Sequence, residues 1–226
     1  MPLESGRVSD VASQAEVLEH LWQFGSVHPD WTAGDDWPAE VAWWAVATRD
    51  GLVLIDPLVE DWEPVDRLVE RAGGCAAVIR TCHWHERSVA VAAARYGAEV
   101  WARPLPAGQA PSTSDCEPHP FGRAIEAPQT LPGGLEARDV VRDDEIAVWL
   151  PDHRALLFAD VMLRDADGAL HMCPESWMRR NGGRARLREA LTPLLDLAPE
   201  HLLVAHGPLV LGDGPRSIAH ALAEPE

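Results

Sequence analysis

Residues 77–101, AVIRTCHWHERSVAVAAARYGAEVW, constrain the fold more than any other stretch of the chain. The apolar run Ala77-Val78-Ile79 reads as a buried strand. A polar turn follows, in which His83 and His85 flank Trp84. Residues 89–96 are rich in alanine, which predicts a helix, and Gly97 stands where a helix C-cap belongs. Glu99-Val100-Trp101 then opens another strand. This order predicts an α/β protein. It also puts two imidazoles at the C-terminal end of a strand, just ahead of a helix, where open α/β sheets bind ligands.

The flanking sequence extends the pattern in both directions. VAWWAVAT and LVLIDP surround Arg49-Asp50-Gly51, and Asp-Gly between apolar runs signals a hairpin. Residues 61–72 place Val65, Leu68 and Val69 at helical spacing, and Gly73-Gly74 stops them. Residues 1–15 read as a loose arm and residues 16–27 as a first edge strand. The loop of residues 28–38 carries two tryptophans, suited to local packing or to one wall of a pocket. Residues 102–121 read as a long Pro-rich loop in which His119 either reaches a metal site or, more in keeping with a loop histidine, is solvated. Residues 122–150 read as short strands. Ala155 opens an apolar strand that ends at Ala159-Asp160, and residues 164–182 read as a polar loop. A helix is expected over residues 184–197, with Pro193 kinking it or delaying its start. A strand running into His206-Gly207-Pro208 and a helix opening at Pro215 complete the chain.

Composition excludes several function classes. A net charge of −17 over 226 residues leaves no basic surface for nucleic acid and disfavours an anionic membrane. No run of about 18 apolar residues offers a transmembrane span. The N-terminus lacks the apolar stretch of a signal peptide, so a cytoplasmic location is expected. Cys75, Cys82, Cys116 and Cys173 show no C-x-x-C spacing, and reduced thiols are the expectation.

Strand, T-x-H-x-H, helix and YGAEVWA together resemble the metal-binding segment of the metallo-β-lactamase superfamily. The family signature H-x-H-x-D-H reads here His83-Trp84-His85-Glu86-Arg87-Ser88. Arg87 therefore holds the Asp position and Ser88 the last His position. Leu54-Ile55-Asp56 resembles the end of the family's N-terminal hairpin, whose Asp supports the site without binding metal. Ala159-Asp160 resembles the family's G-D, whose Asp bridges two metals. His206-Gly207 resembles its last ligand motif. Pro132-Gly133-Gly134 falls where P-G-H is expected and puts Gly134 in a ligand's place. The resemblance implies a single αββα four-layer sandwich over residues 16–222. It also implies one divalent metal, zinc foremost, on His83, His85, Asp160 and His206, with Asp160 and Arg87 as the catalytic candidates.

Three imidazoles and one carboxylate at separate strand ends suit such an ion. Arg87, if it faces inward, disfavours a second metal and can hold an anionic group instead. Glu86 sits one position early for a replacement ligand. Three readings follow: a mononuclear hydrolase of a small ester, lactone or thioester; a metal-free relative that binds a small molecule or runs a non-hydrolytic reaction; and an interaction protein whose histidines are hydrogen-bonded remnants. The first names the expected class.

Overall fold

Residues 75–102 take the form their pattern predicts: strand, turn, helix, strand. Around them two sheets face each other in the computed structural model, which describes residues 13–35, 37–104, 122–142, 145–165 and 167–224. The strands β1 (Ser13–Leu18), β2 (Leu21–Val27), β3 (Glu40–Thr48) and β4 (Gly51–Ile55) form an antiparallel meander. Helix α1 (Trp62–Arg71) leads to β5 (Cys75–Arg80), parallel to β4. Helix α2 (Val89–Tyr96) leads to β6 (Val100–Ala102), parallel to β5, and β7 (Arg123–Ala124) adds at the edge. Both helices are delimited by chemistry legible in the sequence. The Asp61 carboxylate caps α1 by accepting from Glu63 N, and Gly97 ends α2 at φ 63°, a conformation costly for a residue with a Cβ.

The second sheet is built from β8 (Gln129–Thr130), β9 (Glu136–Asp139), β10 (Ile146–Leu150) and β11 (Ala155–Phe158). A ribbon of β12 (Met162–Arg164) and β13 (Leu170–Met172) follows, then helices α3 (Glu175–Met178) and α4 (Gly183–Leu191). The chain re-enters this sheet as β14 (His201–Val204), parallel to β11, and closes with α5 (Gly214–Ala223). Strand order is β14-β11-β10-β9-β8.

Burial on both faces of each sheet explains the near-continuous apolar runs. Trp44, Val53, Ile55 and Ile79 meet Ile146, Val148, Leu157 and Leu203 between the sheets. Val65, Leu68, Val89 and Ala92 cover the outer face of the first sheet. Leu187, Leu191, Ile218 and Leu222 cover that of the second. The result is the αββα sandwich.

Four expectations change. Residues 16–27 are not one strand: the chain reverses at His20, φ 66°, with Leu18 paired to Leu21. The first strand starts at Ser13, so residues 13–15 belong to the sheet rather than to an arm. Residues 164–182 contain β13 and α3, with Leu170, Met172 and Met178 buried. The helix expected over 184–197 stops at Leu191, and a 3-10 turn, Thr192–Leu197, begins at Pro193, which has no N–H to continue the α ladder. Residues 1–12, Cys116 and His119 lie outside the described residues. No described helix is long and apolar enough to cross a membrane.

Candidate metal centre at the strand ends

The C-terminal ends of β4, β5, β11 and β14 converge at one end of the sandwich. Two backbone hydrogen bonds stitch the sheets together there: Ala42 N to Ala205 O at 2.8 Å, and Ile146 N to Thr81 O at 2.9 Å. The chain leaving each of these four strands carries one polar side chain into the seam: Asp56, His85, Asp160 and His206, all buried.

Asp160 is the hub. Its Oδ1 lies 3.2 Å from His85 Nε2 and 3.2 Å from His206 Nε2. Its Oδ2 accepts from the Cys82 thiol at 3.3 Å and faces the Arg142 guanidinium at 3.7 Å. Asp56 works from behind. It accepts from Thr81 N at 2.7 Å and from the Thr81 hydroxyl, and it meets His85 Nδ1 at 2.9 Å. A carboxylate on Nδ1 fixes the orientation of the ring and aims Nε2 at Asp160.

The charges of this cluster are set by competing effects. Burial alone would raise the Asp160 carboxyl; the charge of His85 and the hydrogen bonds from His206 and His85 overcome it and hold the group well below the usual carboxylate range. Burial and then the Arg87 charge oppose a proton on His85, but Asp56 and Asp160 prevail and raise its pKa. His28 is driven the other way, by burial first and Arg87 second.

His85, Asp160 and His206 bring their ligand atoms within 4.8 Å of one another. With metal–ligand bonds of 2.0–2.1 Å, tetrahedral zinc sets its donors about 3.4 Å apart, close to the two 3.2 Å separations observed. The donor set therefore fits one divalent ion. The fit is uneven behind the rings: His85 has Asp56, whereas His206 Nδ1 is sealed from solvent and has no hydrogen-bond partner among the described residues. A second group, Cys82, Glu145 and Asp160, also gathers within that distance. There Arg142 lies 3.2 Å from Glu145 Oε2, so a fixed cation already stands among the carboxylates.

Two of the expected positions stand apart from these donor groups. His83 contributes to neither group of donors among the described residues. The turn closed by His85 N on Cys82 O carries His85 inward, while the His83 ring packs edge-on against Trp84 at 5.2 Å. Gly134 is remote from the site. Its neighbour Gly133 donates to Asp50 Oδ2 in the turn joining β3 and β4, at the opposite end of β4 from Asp56. The second sheet instead reaches the site through the segment before β10. That segment supplies Arg142 and Glu145, both missed at the level of sequence.

Arg87 faces inward, at φ 37°. Its Nη1 donates to Ala42 O at 3.3 Å and to Asp56 O at 3.2 Å. Its Nε is sealed and has no hydrogen-bond partner among the described residues. Burial works against its charge, and Asp56 and Asp160 favour it; a guanidinium stays protonated nonetheless. The tryptophans line the approach: Trp37 sits edge-on to both His28 and His206, 5.3 Å from each, and Trp177 lies 6.4 Å from His206.

The His-Gly step has a steric cause. Arg164 N donates to His206 O at 2.9 Å, which draws β12 against Gly207. A Cβ built on Gly207, at φ 91°, would lie 1.8 Å from Arg164 O. Gly207→Ala is expected to cost at least about 2 kcal/mol, from backbone strain plus forced displacement. Urea unfolding measures it; a change under about 0.5 kcal/mol would mean that β12 yields freely.

No family model and no curated protein matches the sequence. Solved structures do. A metallo-beta-lactamase from Pontibacter korlensis is 18% identical, with a TM-score of 0.64, over 95% of this chain and 100% of that one. The DIM-1 metallo-beta-lactamase is 13% identical, with a TM-score of 0.66, over 94% and 95%. A metallo beta lactamase from Erythrobacter litoralis is 16% identical, with a TM-score of 0.59, over 96% and 92%. Likeness at these identities is one of fold.

Proposed function

Starting from a metallo-β-lactamase fold, we propose that this chain is a mononuclear metal-dependent hydrolase of a small ester, lactone or thioester. The observation that carries the reading is the convergence of His85 Nε2, His206 Nε2 and Asp160 Oδ1 within 4.8 Å at a buried seam. Three protein donors leave a fourth position for water or substrate, the arrangement of catalytic rather than structural zinc. A divalent ion held there supplies Lewis acidity toward water and a carbonyl oxygen.

The chain's own groups have separate tasks in this reading. Asp56 accepts the Nδ1 proton of His85 and so keeps Nε2 available as a donor atom. Asp160 offers one oxygen to the ion, while Cys82 and Arg142 hold the other. Trp37 and Trp177 exclude water beside His206, which strengthens every charge interaction within.

A metal-free binding protein is the second reading, favoured by a specific feature. Doubly protonated, His85 pairs with Asp56 on one side and Asp160 on the other, so the cluster is satisfied without an ion. Elemental analysis separates the two. Protein grown with zinc, manganese and iron, and purified without a His tag or chelator, is expected to carry about one ion per chain and to hydrolyse a member of an ester and lactone panel. No metal under any supplementation sinks the hydrolase, and two per chain would mean that Arg87 swings out of the site.

A further inference from the structure

Among the described residues, no carboxylate forms an ion pair with Arg87. Its two hydrogen bonds go to the backbone carbonyls of Ala42 and Asp56, both through Nη1. Among the described residues nothing accepts from Nε or Nη2, and no carboxylate pairs with the guanidinium. The two nearby carboxylates are committed elsewhere: Asp56 to Thr81 and His85, Asp160 to His85, His206 and Cys82. A charge taken out of water costs several kcal/mol unless it is paired. Arg87 is only part-buried, but its Nε is sealed, so among the described residues this edge of the guanidinium is left without an anion.

The neighbours of Arg87 say where that anion would sit. Ala42, which accepts from Arg87, donates its own N–H to Ala205, next to His206. The Trp37 ring stands between His28 and His206, and its loop is pinned by the Trp31 indole N–H on Trp37 O. Trp37 thus borders both His28 and His206, and the Arg87 charge is near enough to act on His28. We propose that Arg87, with His28 beside it, is the seat of a carboxylate on the substrate, adjacent to the bond that is cut. The word substrate rests on the hydrolase reading; the seat itself does not require the metal.

Charge and shape select a carboxylate. One guanidinium balances one negative charge, whereas a phosphate monoester brings nearly two. The edge carrying Nε and Nη2 matches the two oxygens of a planar carboxylate. In a chain of net charge −17, a local cation at the site also draws anionic ligands to this spot rather than to the surrounding surface.

The test is isothermal titration of the full chain, stripped of metal with chelator, using benzoate, benzamide and inorganic phosphate. Benzoate is expected to bind at one site, about tenfold or more tighter than benzamide, and tighter than phosphate. Arg87→Met should weaken benzoate by about tenfold or more, and Arg87→Lys, which keeps the charge but not the fork, by less. Arg87→Gln retains donors for the two backbone carbonyls and serves if Arg87→Met does not fold. Equal binding of benzoate and benzamide, tighter phosphate, undetectable benzoate, or indifference to both Arg87→Met and Arg87→Gln overturns the proposal. Benzoate binding that depends on Arg87 in a protein that takes up no metal keeps the seat and ends the hydrolase reading. One metal per chain with benzoate binding indifferent to Arg87 does the reverse.

Discussion

Asp160→Asn is expected to lower affinity for a divalent ion by at least ~100-fold, more than the loss of a group that only supports a ligand. Asp160 supplies the one carboxylate oxygen of the three-donor set, and both imidazoles are oriented on that same atom. Its charge matters as much as its lone pair. Arg142 stands 3.7 Å from Oδ2, and Arg87 is held inward by two carbonyls. With an amide at position 160, a dication would meet two guanidiniums with less carboxylate charge to offset them, and like charges in a poorly solvated seam repel strongly. The amide matches the carboxylate in volume, so the sandwich should persist. Competition against a chromophoric chelator gives the affinity, and circular dichroism checks the fold. Wild-type affinity in a folded Asp160→Asn protein would remove Asp160 from the ligand set and leave His85 and His206 as hydrogen-bonded neighbours.

Most of the fold is legible in the sequence because its determinants are local. Asp61, Gly73-Gly74 and Gly97 mark helix ends through caps and backbone conformation, and each lies where the chain turns. The turn at His20 was less visible, since no Gly, Pro or Asn signals it, and β1 and β2 merged into one expected strand. The site divides along the same line. His85, Asp160 and His206 are recognisable as polar residues that follow apolar strands. Arg142 and Glu145 are not: they belong to the charged run Arg142-Asp143-Asp144-Glu145, which by itself describes a solvated turn. Their burial comes from Cys82 bridging to Glu145 across the two sheets, a contact between residues 63 positions apart. A usable signal was topological. Since β10 runs antiparallel to β11, the residues before β10 lie at the same end of the sheet as the residues after β11.

Pro132-Gly133-Gly134 misled for the converse reason. Its glycines answer a local need unrelated to any ligand. Gly133 takes φ 73°, and a Cβ there would lie 2.5 Å from Thr48 Cγ2. The motif is a tight turn under the β3–β4 hairpin. His83 differs again, because a two-residue spacing fixes neither ring's direction once the strand gives way to a turn.

Glu145 has the largest expected effect on stability. It is wholly buried. Its Oε1 accepts from Asp160 N at 3.0 Å and Val161 N at 3.1 Å, and Oε2 lies 3.2 Å from Arg142. Glu145→Ala would strand two backbone donors and take from buried Arg142 the carboxylate 3.2 Å away, with the Asp160 carboxylate still 3.7 Å from it. Breaking a buried pair by removing one partner costs about 3–5 kcal/mol. Each orphaned N–H would add about 1–3 kcal/mol if independent, but the terms share one site and do not sum. A loss of about 4 kcal/mol is therefore expected in urea unfolding, enough to consume much of a typical domain's stability. Glu145→Gln keeps an acceptor for both N–H groups and should cost less. Adding Arg142→Met to Glu145→Ala should restore part of the loss, since the buried charge that lost its Glu145 carboxylate then disappears. A deficit under about 1 kcal/mol, or no recovery in the double variant, would show that water or a shifted Arg142 replaces the carboxylate. The main chain at Asp160 would then be held by the β11–β14 pairing rather than from beneath.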